Sequence, residues 1–326
     1  MRCRKITAEN CVICGNSTAV VQSFVSNYNN KEYFLLECRS CEVQFWTPLE
    51  HPKAKYYEEE VRIFYKEIHK GSRSNLDVRH KKFFKDFFGN MTNMRVLDVG
   101  CSDGLFLEKL QSMDMNNEVW GIDIDLKAIE IAKKRRLNNV YCLDIDTFIT
   151  ESQKLRLQFD IVTMFDVLEH LTDPLNVLNG LKKLLSPNGK IIGTVPNRGR
   201  FLRNHIVTDF PPHHFFRFDK RSLRNLFNLV SLGVEKTDIF EYGYAGRVIT
   251  NTLIKKGKQI IKENILFTHN YGEKNRTNNE ISDGTHRSLK GKVLNLFVSI
   301  TLPISIMVEY SLRRGFKLYF VCTKNN

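Results

Sequence analysis

Several features that would place this chain quickly are missing from it. Its first ten residues, Met1 to Asn10, are polar and basic with no apolar run, so no secretory leader is read there and a cytoplasmic setting is the expectation. No stretch reads as a transmembrane span. The most apolar one, Val293–Leu312, is short, is broken by Asn295, Ser299, Pro303 and Glu309, and is flanked by Lys290, Lys292, Arg313 and Arg314. There is no G-x-G-x-x-G, and no lysine follows a glycine loop, which argues against a dinucleotide fingerprint and against a P-loop. No recognised RNA-binding motif occurs. Eight cysteines in 326 residues are too few and too unevenly placed for a disulfide scaffold.

What is present describes a globular protein with a basic balance. Hydrophobic residues at 42% supply enough material for one sizeable core and a small satellite. The formal charge of +13 suits either simple solubility or an anionic partner. The excess is uneven. From Glu241 to Asn326 there are 14 Lys and Arg against six Asp and Glu.

Four cysteines form two C-x-x-C pairs, Cys11/Cys14 and Cys38/Cys41, with 23 residues between the pairs. Each pair grips a metal through a tight turn, and four thiolates satisfy Zn²⁺ with no position left open, so the expected role is structural. Two β-rich runs, Thr18–Val25 and Tyr33–Glu37, flank a turn at Asn27–Asn30. The expectation is a zinc ribbon over 1–48, ended by Phe45-Trp46-Thr47-Pro48. Residues 49–92 read as a helical linker or lid, with helices over Lys53–Lys70 and Asn75–Phe88 and with Tyr56 and Tyr57 as lid candidates.

From Arg95 the texture becomes strand–helix alternation. Strands are expected at Arg95–Gly100, Val119–Asp123, Val140–Leu143, Phe159–Phe165 and Gly189–Val195. Helices are expected at Leu105–Ser112, Leu126–Arg135, Asp173–Leu185 and Lys220–Leu229. This order predicts a parallel doubly wound sheet with its ligand at the carboxyl ends of the strands. Asp98 stands before the first glycine loop, where a carboxylate would oppose a pyrophosphate.

Asp98-Val99-Gly100-Cys101-Ser102-Asp103-Gly104 resembles motif I of the class I S-adenosylmethionine (SAM)-dependent methyltransferases, with Ser102 where the middle glycine usually stands. Phe159–Pro174 and Leu184–Lys190 resemble that family's fourth-strand region and the turn that follows. Among its branches are quinone-precursor O-methyltransferases and, with an N-terminal zinc ribbon, enzymes similar to those of sugar and polysaccharide biosynthesis. The resemblance implies a Rossmann-like α/β sheet of seven strands, the last antiparallel. Val234–Tyr242 would be the sixth strand and Phe316–Cys322 the seventh. The core would then span 93–242 and 316–326, around a helical insertion at 243–315. It implies SAM as cofactor, lined by Asp98, Gly100, Ser102, Gly104, Asp123, Ile124, Asp144, Ile145, Met164 and Phe165. Asp98 would meet the ammonium end, Asp123 the ribose hydroxyls, and Asp144 with Ile145 the adenine.

Three readings stand for the chemistry beyond the cofactor. His170, His213 or His214 serves as general base toward an acceptor hydroxyl. Alternatively Asp166, Glu169 and His170, resembling the E-x-x-E-H cluster of some metal-dependent O-methyltransferases, hold Mg²⁺ with a later histidine. In the third, Glu169 and His170 only fix the loop before the helix at Asp173-Pro174. The expected acceptor is the hydroxyl of a small molecule or of a sugar or glycan precursor. RNA methylation and SAM binding without catalysis are the alternatives, and the 243–315 segment raises peripheral membrane contact.

Overall fold

The computed structural model describes residues 9–50, 74–87, 89, 91–201, 209–243 and 302–324. The helix expected over Lys53–Lys70, the lid tyrosines Tyr56 and Tyr57, and most of the 243–315 insertion lie outside the described residues.

The chain begins with three antiparallel strands, β1 (Thr18–Val25), β2 (Glu32–Cys38) and β3 (Gln44–Thr47). Helix α1 (Val78–Phe87) follows. The alternating part then runs β4 (Arg95–Val99), α2 (Leu105–Met113), β5 (Glu118–Asp123), α3 (Leu126–Lys134), β6 (Asn139–Cys142), α4 (Ile145–Lys154), β7 (Phe159–Phe165), α5 (Pro174–Lys183) and β8 (Leu185–Pro196). It closes with the short β9 (Phe216–Arg217), α6 (Lys220–Leu229), β10 (Leu232–Phe240) and β11 (Lys317–Lys324).

Seven strands form one sheet in the order β10-β11-β8-β7-β4-β5-β6. The central pairs β4–β5, β4–β7, β5–β6 and β7–β8 are parallel, whereas β11 lies antiparallel to β8. The doubly wound sheet with an antiparallel last strand is therefore as expected. Its central strands are apolar on both faces because helices cover both. Val96, Leu97, Val162, Met164, Ile191 and Ile192 are fully buried. The carboxyl ends of β4 and β7 lie side by side at the centre, where strand order reverses and a crevice opens.

Three differences from the sequence reading have plain causes. Phe45-Trp46-Thr47 is more than a terminator of the ribbon. It is the third strand, and it pairs onward with β9 through Phe45↔Phe216 and Gln44↔Arg217, so the ribbon sheet is completed by the core. Phe45 and Trp46 are fully buried, which is what holds that strand in place. Helix α4 had no counterpart in the sequence reading, because its capping residue, Asp144, was read as a ligand. Strand β8 starts at Leu185 rather than Gly189, since Asn188 in the left-handed region (φ 63°) lets the strand continue past Pro187.

The ribbon is fastened to the core by more than the sheet. Arg198 Nη1 donates to the Glu42 carbonyl at 2.7 Å and its Nε to Asp219 at 2.7 Å. Asn225 Nδ2 donates to the Cys41 carbonyl at 3.0 Å. Phe210 stacks against Phe24 and Trp46 with ring centroids 4.6 and 5.6 Å away. The described parts of Met1–Arg198, Arg203–Ile239 and Lys317–Asn326 accordingly form one compact unit.

The second unit comprises the described parts of Gly199–Leu202 and Phe240–Phe316. Within it a helix over 302–311 turns Glu309 inward, where Gly243 N and Ser305 Oγ donate to it at 2.7 and 2.9 Å. Its apolar residues Ile304, Met307, Tyr310 and Leu312 are exposed. Among the described residues, no helix is long and apolar enough to cross a membrane.

Candidate functional site

The loop after β4 is a set of backbone constraints. Gly100 (φ +75°) and Cys101 donate their N–H groups to the Ile122 carbonyl at 2.8 and 3.0 Å, tying the loop to β5. A Cβ at Gly100 would meet Val167 Cγ2 at 2.8 Å. Gly104 (φ +72°) is the N-cap of α2, and a Cβ there would meet Leu137 Cδ1 at 2.5 Å and Ala132 Cβ at 2.9 Å. Gly15 in the ribbon shares this conformation (φ +75°) but has nothing within 4 Å. Gly15→Ala is thus expected to cost about 1–2 kcal/mol from the left-handed backbone alone. Gly104→Ala adds overpacking, about 1–3 kcal/mol more. Urea denaturation of both variants checks the order.

Two carboxylates organise the loop. Asp123, at the end of β5, accepts from Ser102 N and from Asp125 N, both at 2.9 Å, which joins the loops after β4 and β5. Burial raises its pKa against the opposing pull of these N–H groups. Asp98 is buried at 3% exposure and accepts from Thr163 Oγ1 at 2.6 Å. In the same loop the hydroxyl of Ser102 is buried without a hydrogen-bond partner among the described residues. A polar atom in that state calls for a ligand or solvent partner.

The other expected cofactor positions divide. Ile124 is 54% exposed at the end of β5, open to a ligand. Met164 and Phe165 are not. Met164 is fully buried and Phe165 belongs to an aromatic cluster with His80, Phe83 and Phe106, so only their backbone is available. Asp144 is the N-cap of α4: its carboxylate accepts from Thr147 N at 2.9 Å and from the Thr147 hydroxyl at 2.7 Å. Ile145 is the first residue of that helix and is partly buried against the core.

The expected magnesium set is not assembled. The Asp166 carboxylate is engaged by Arg79 Nη1 at 2.7 Å, by Lys317 Nζ and by the Thr194 hydroxyl at 2.7 Å. Two cations already neutralise it. Burial pushes its pKa up, but the Lys317 and Arg79 charges outweigh this and hold it well below the usual carboxylate range. Glu169 is 1% exposed, and neither of its carboxyl oxygens has a hydrogen-bond partner among the described residues. Burial, with Asp166 nearby, pushes its pKa well up, toward the neutral acid. Asp166 is thus committed to its two cations, and among the described residues the potential metal-holding group at this place is His170, His213 and His214. Sequence gave no signal for Arg79 and Lys317, which are 87 and 151 residues from their partner.

The histidines do converge. His170 sits on the short turn Leu168–His170 just past β7, and His213 and His214 lie before β9. Ring centroids are 4.7 Å apart for His170–His213, 4.6 Å for His170–His214 and 4.7 Å for His213–His214. His170 Nδ1 lies 2.7 Å from the His213 carbonyl, which fixes Nδ1 as the protonated nitrogen. Burial, together with the neighbouring imidazoles, pushes His170 well below its usual pKa and His213 down to about 3. Asp209, which the sequence reading did not single out, lies 3.5 Å from His214 Nδ1.

In the ribbon, the four thiols meet. Cys11 and Cys41 sulfurs are 3.6 Å apart and those of Cys14 and Cys38 3.4 Å. All four lie within 4.8 Å of one another. A tetrahedral zinc with bonds of about 2.3 Å sets sulfurs about 3.8 Å apart, so the set fits one ion. Ile13 N donates to Cys11 Sγ at 3.4 Å and Ser40 N to Cys38 Sγ at 3.3 Å, which stabilises thiolates at both knuckles.

Comparison with known proteins follows this geometry. Residues 72–235 match the family described as a methyltransferase domain. A ubiquinone biosynthesis O-methyltransferase from Actinobacillus pleuropneumoniae is 31% identical over 140 residues, covering 41% of this chain and 57% of its own. The mitochondrial counterpart from Candida albicans is 32% identical over 155 residues, 45% of each chain. The chain thus spans about half the length of the curated relatives it matches. A solved SAM-dependent methyltransferase from Archaeoglobus fulgidus is similar at 18% identity and a TM-score of 0.48, over 82% of this chain and all of the other. With half of its length matched to the family and the seven-stranded order at its centre, the chain belongs to the class I methyltransferase-domain family.

Proposed function

We propose that the protein transfers the methyl group of SAM to a hydroxyl of a small-molecule acceptor, of the sugar or glycan-precursor class. The observation that carries this is the loop at the end of β4 and β5, where Asp123, the glycine cradle and the unpartnered Ser102 hydroxyl meet. SAM supplies an electrophilic methyl on a sulfonium when bound. The residues do the rest. Gly100 and Gly104 keep side chains out of the space along the loop. Asp98 provides negative charge for the cofactor's ammonium end, and Asp123 accepts from the ribose hydroxyls. Ile124 offers an apolar surface to the adenine ring. The three histidines, which follow β7 and β8 in the chain, are the groups for the acceptor hydroxyl: a free ring takes its proton, and rings bound to a metal ion polarise it instead. The oxygen acceptor is favoured by the curated relatives, which are named as O-methyltransferases.

Zinc in the ribbon is part of the same reading, because four thiols with N–H support leave no position for substrate. The metal's work is structural.

Isothermal titration with S-adenosylhomocysteine tests the cofactor site. Wild type is expected to bind at micromolar level and Asp123→Ala to bind at least about 100-fold more weakly, since two charge-assisted hydrogen bonds are lost. No binding by a folded wild type would overturn the methyltransferase reading. Equal binding by Asp123→Ala would remove Asp123 from the site.

A further inference from the structure

The three histidines do more than crowd one place. We propose that His170, His213 and His214 together form a binding site for a first-row transition-metal ion of the zinc type, distinct from the ribbon's. The inference rests on the methyl-transfer reading only for its role, not for its existence.

The geometry comes first. One nitrogen from each ring lies within 4.8 Å of the other two. Three imidazoles on a tetrahedral ion, with bonds of about 2.0–2.1 Å, place their nitrogens about 3.4 Å apart, so the set needs to close by at most about 1.4 Å. His170 stands across the other two rings at 85° and 80°, and His213 and His214 lie nearly parallel at 23°. The rings therefore approach one point from two directions.

Orientation is the second observation. Metal-bound histidines donate the nitrogen that does not bind metal to a carbonyl or a carboxylate, which fixes the ring and raises its basicity. Two of the three have such a partner. His170 Nδ1 is held by the His213 carbonyl at 2.7 Å, and His214 Nδ1 faces the Asp209 carboxylate at 3.5 Å. Asp209 is itself 4% exposed, so this carboxylate is buried beside the ring. Both arrangements engage Nδ1, which leaves Nε2 as the nitrogen available to a metal.

Donor chemistry selects the ion. Three neutral imidazoles suit zinc, cobalt or nickel, whereas magnesium wants oxygen. The nearest acidic positions do not change this. Asp166 is taken by Arg79 and Lys317, and Glu169 is not in the ligand set. Three protein ligands leave a fourth position open, unlike the closed set of four cysteines, so an acceptor oxygen can coordinate there. His170 and His213 are only half-buried, which leaves an entry path.

The test counts metal in the full chain. Protein equilibrated with excess Zn²⁺ and desalted is expected to carry two zinc ions per chain, falling to one in His170→Ala and in His213→Ala. In cobalt-grown protein, the thiolate charge-transfer bands of the ribbon persist in both variants while the nitrogen-ligand bands vanish. Asp209→Asn keeps the shape of the site and is expected to weaken zinc there by about 10–100-fold. S-adenosylhomocysteine binding measured on every sample shows that the fold is intact. One zinc per chain in wild type, or two in the histidine variants, would overturn the proposal. With S-adenosylhomocysteine still bound, that result leaves the methyltransferase reading standing.

Discussion

Serine at both Cys38 and Cys41 is expected to release one zinc ion per chain, unfold the β1–β3 sheet and lower the melting temperature of the whole protein. The described ribbon, 9–50, is too short to bury a self-sufficient core, and scaffolds below about 70 residues usually need a metal or an equivalent staple. Binding of structural zinc contributes about 10–16 kcal/mol in small zinc modules, which is larger than the stability of most domains. What makes the effect global here is the seam. β3 pairs with β9, Arg198 and Asn225 hold the carbonyls of Glu42 and Cys41, and Trp46 packs on Phe210. Once the ribbon loosens, Phe216, Phe218 and Trp46, all buried, lose cover. A loss of about 5 kcal/mol corresponds to roughly 10–20 °C for a domain of this size. Differential scanning calorimetry and Trp46 fluorescence read the two parts together. A midpoint unchanged after zinc loss would mean that the core, not the metal, holds the ribbon.

The parts of this fold that were legible in the sequence are those where local pattern and burial agree. Runs such as Val96–Val99 and Ile161–Phe165 are apolar but for the paired Asp98 and Thr163 because both faces of the sheet are covered, and they stand out for that reason. The meeting of the two C-x-x-C pairs was legible because paired cysteines at this spacing stand out in a chain, and their four sulfurs do lie together. The place of Asp123 at a strand end was legible too.

What escaped was set by distance or by rival uses of one residue type. Asp144 has the same strand-end position as Asp123, yet two contacts to Thr147 make it a helix cap, and nothing in a single sequence separates these roles. The strand Gln44–Thr47 was missed because its second partner, Phe216–Arg217, lies some 170 residues on. Asp166 was placed in a magnesium cluster because its cations come from α1 and from the first residue of β11. The convergence of three histidines was visible only in part. The pair His213-His214 was adjacent, but its contact with His170 depends on where the segment before β9 crosses the sheet edge.

Asp166→Asn is expected to cost about 3–5 kcal/mol at pH 7, the second large effect. Asparagine keeps the shape and can still accept from Thr194, but it takes a carboxylate partner from Arg79, which retains Asp77 at 3.0 Å, and from Lys317, cations whose side chains are only 24% and 13% exposed. The same carboxylate staples four elements: β7, whose end it follows, β8 through Thr194, β11 through Lys317 and α1 through Arg79. It sits directly before the turn that carries His170, so losing the staple also frees that histidine. The pH dependence gives the charge its own signature. The folded carboxyl is held below its unfolded value of about 3.9, so its stabilisation is complete above about pH 5 and drains away as pH falls toward the folded pKa. The variant has no such charge to lose. Wild type and Asp166→Asn are thus expected to differ most near pH 7 and to converge as the medium is acidified toward pH 2. Urea denaturation at several pH values measures the gap. A constant difference at every pH would assign the cost to packing, and a difference under about 1 kcal/mol at pH 7 would mean that solvent already compensates the two cations.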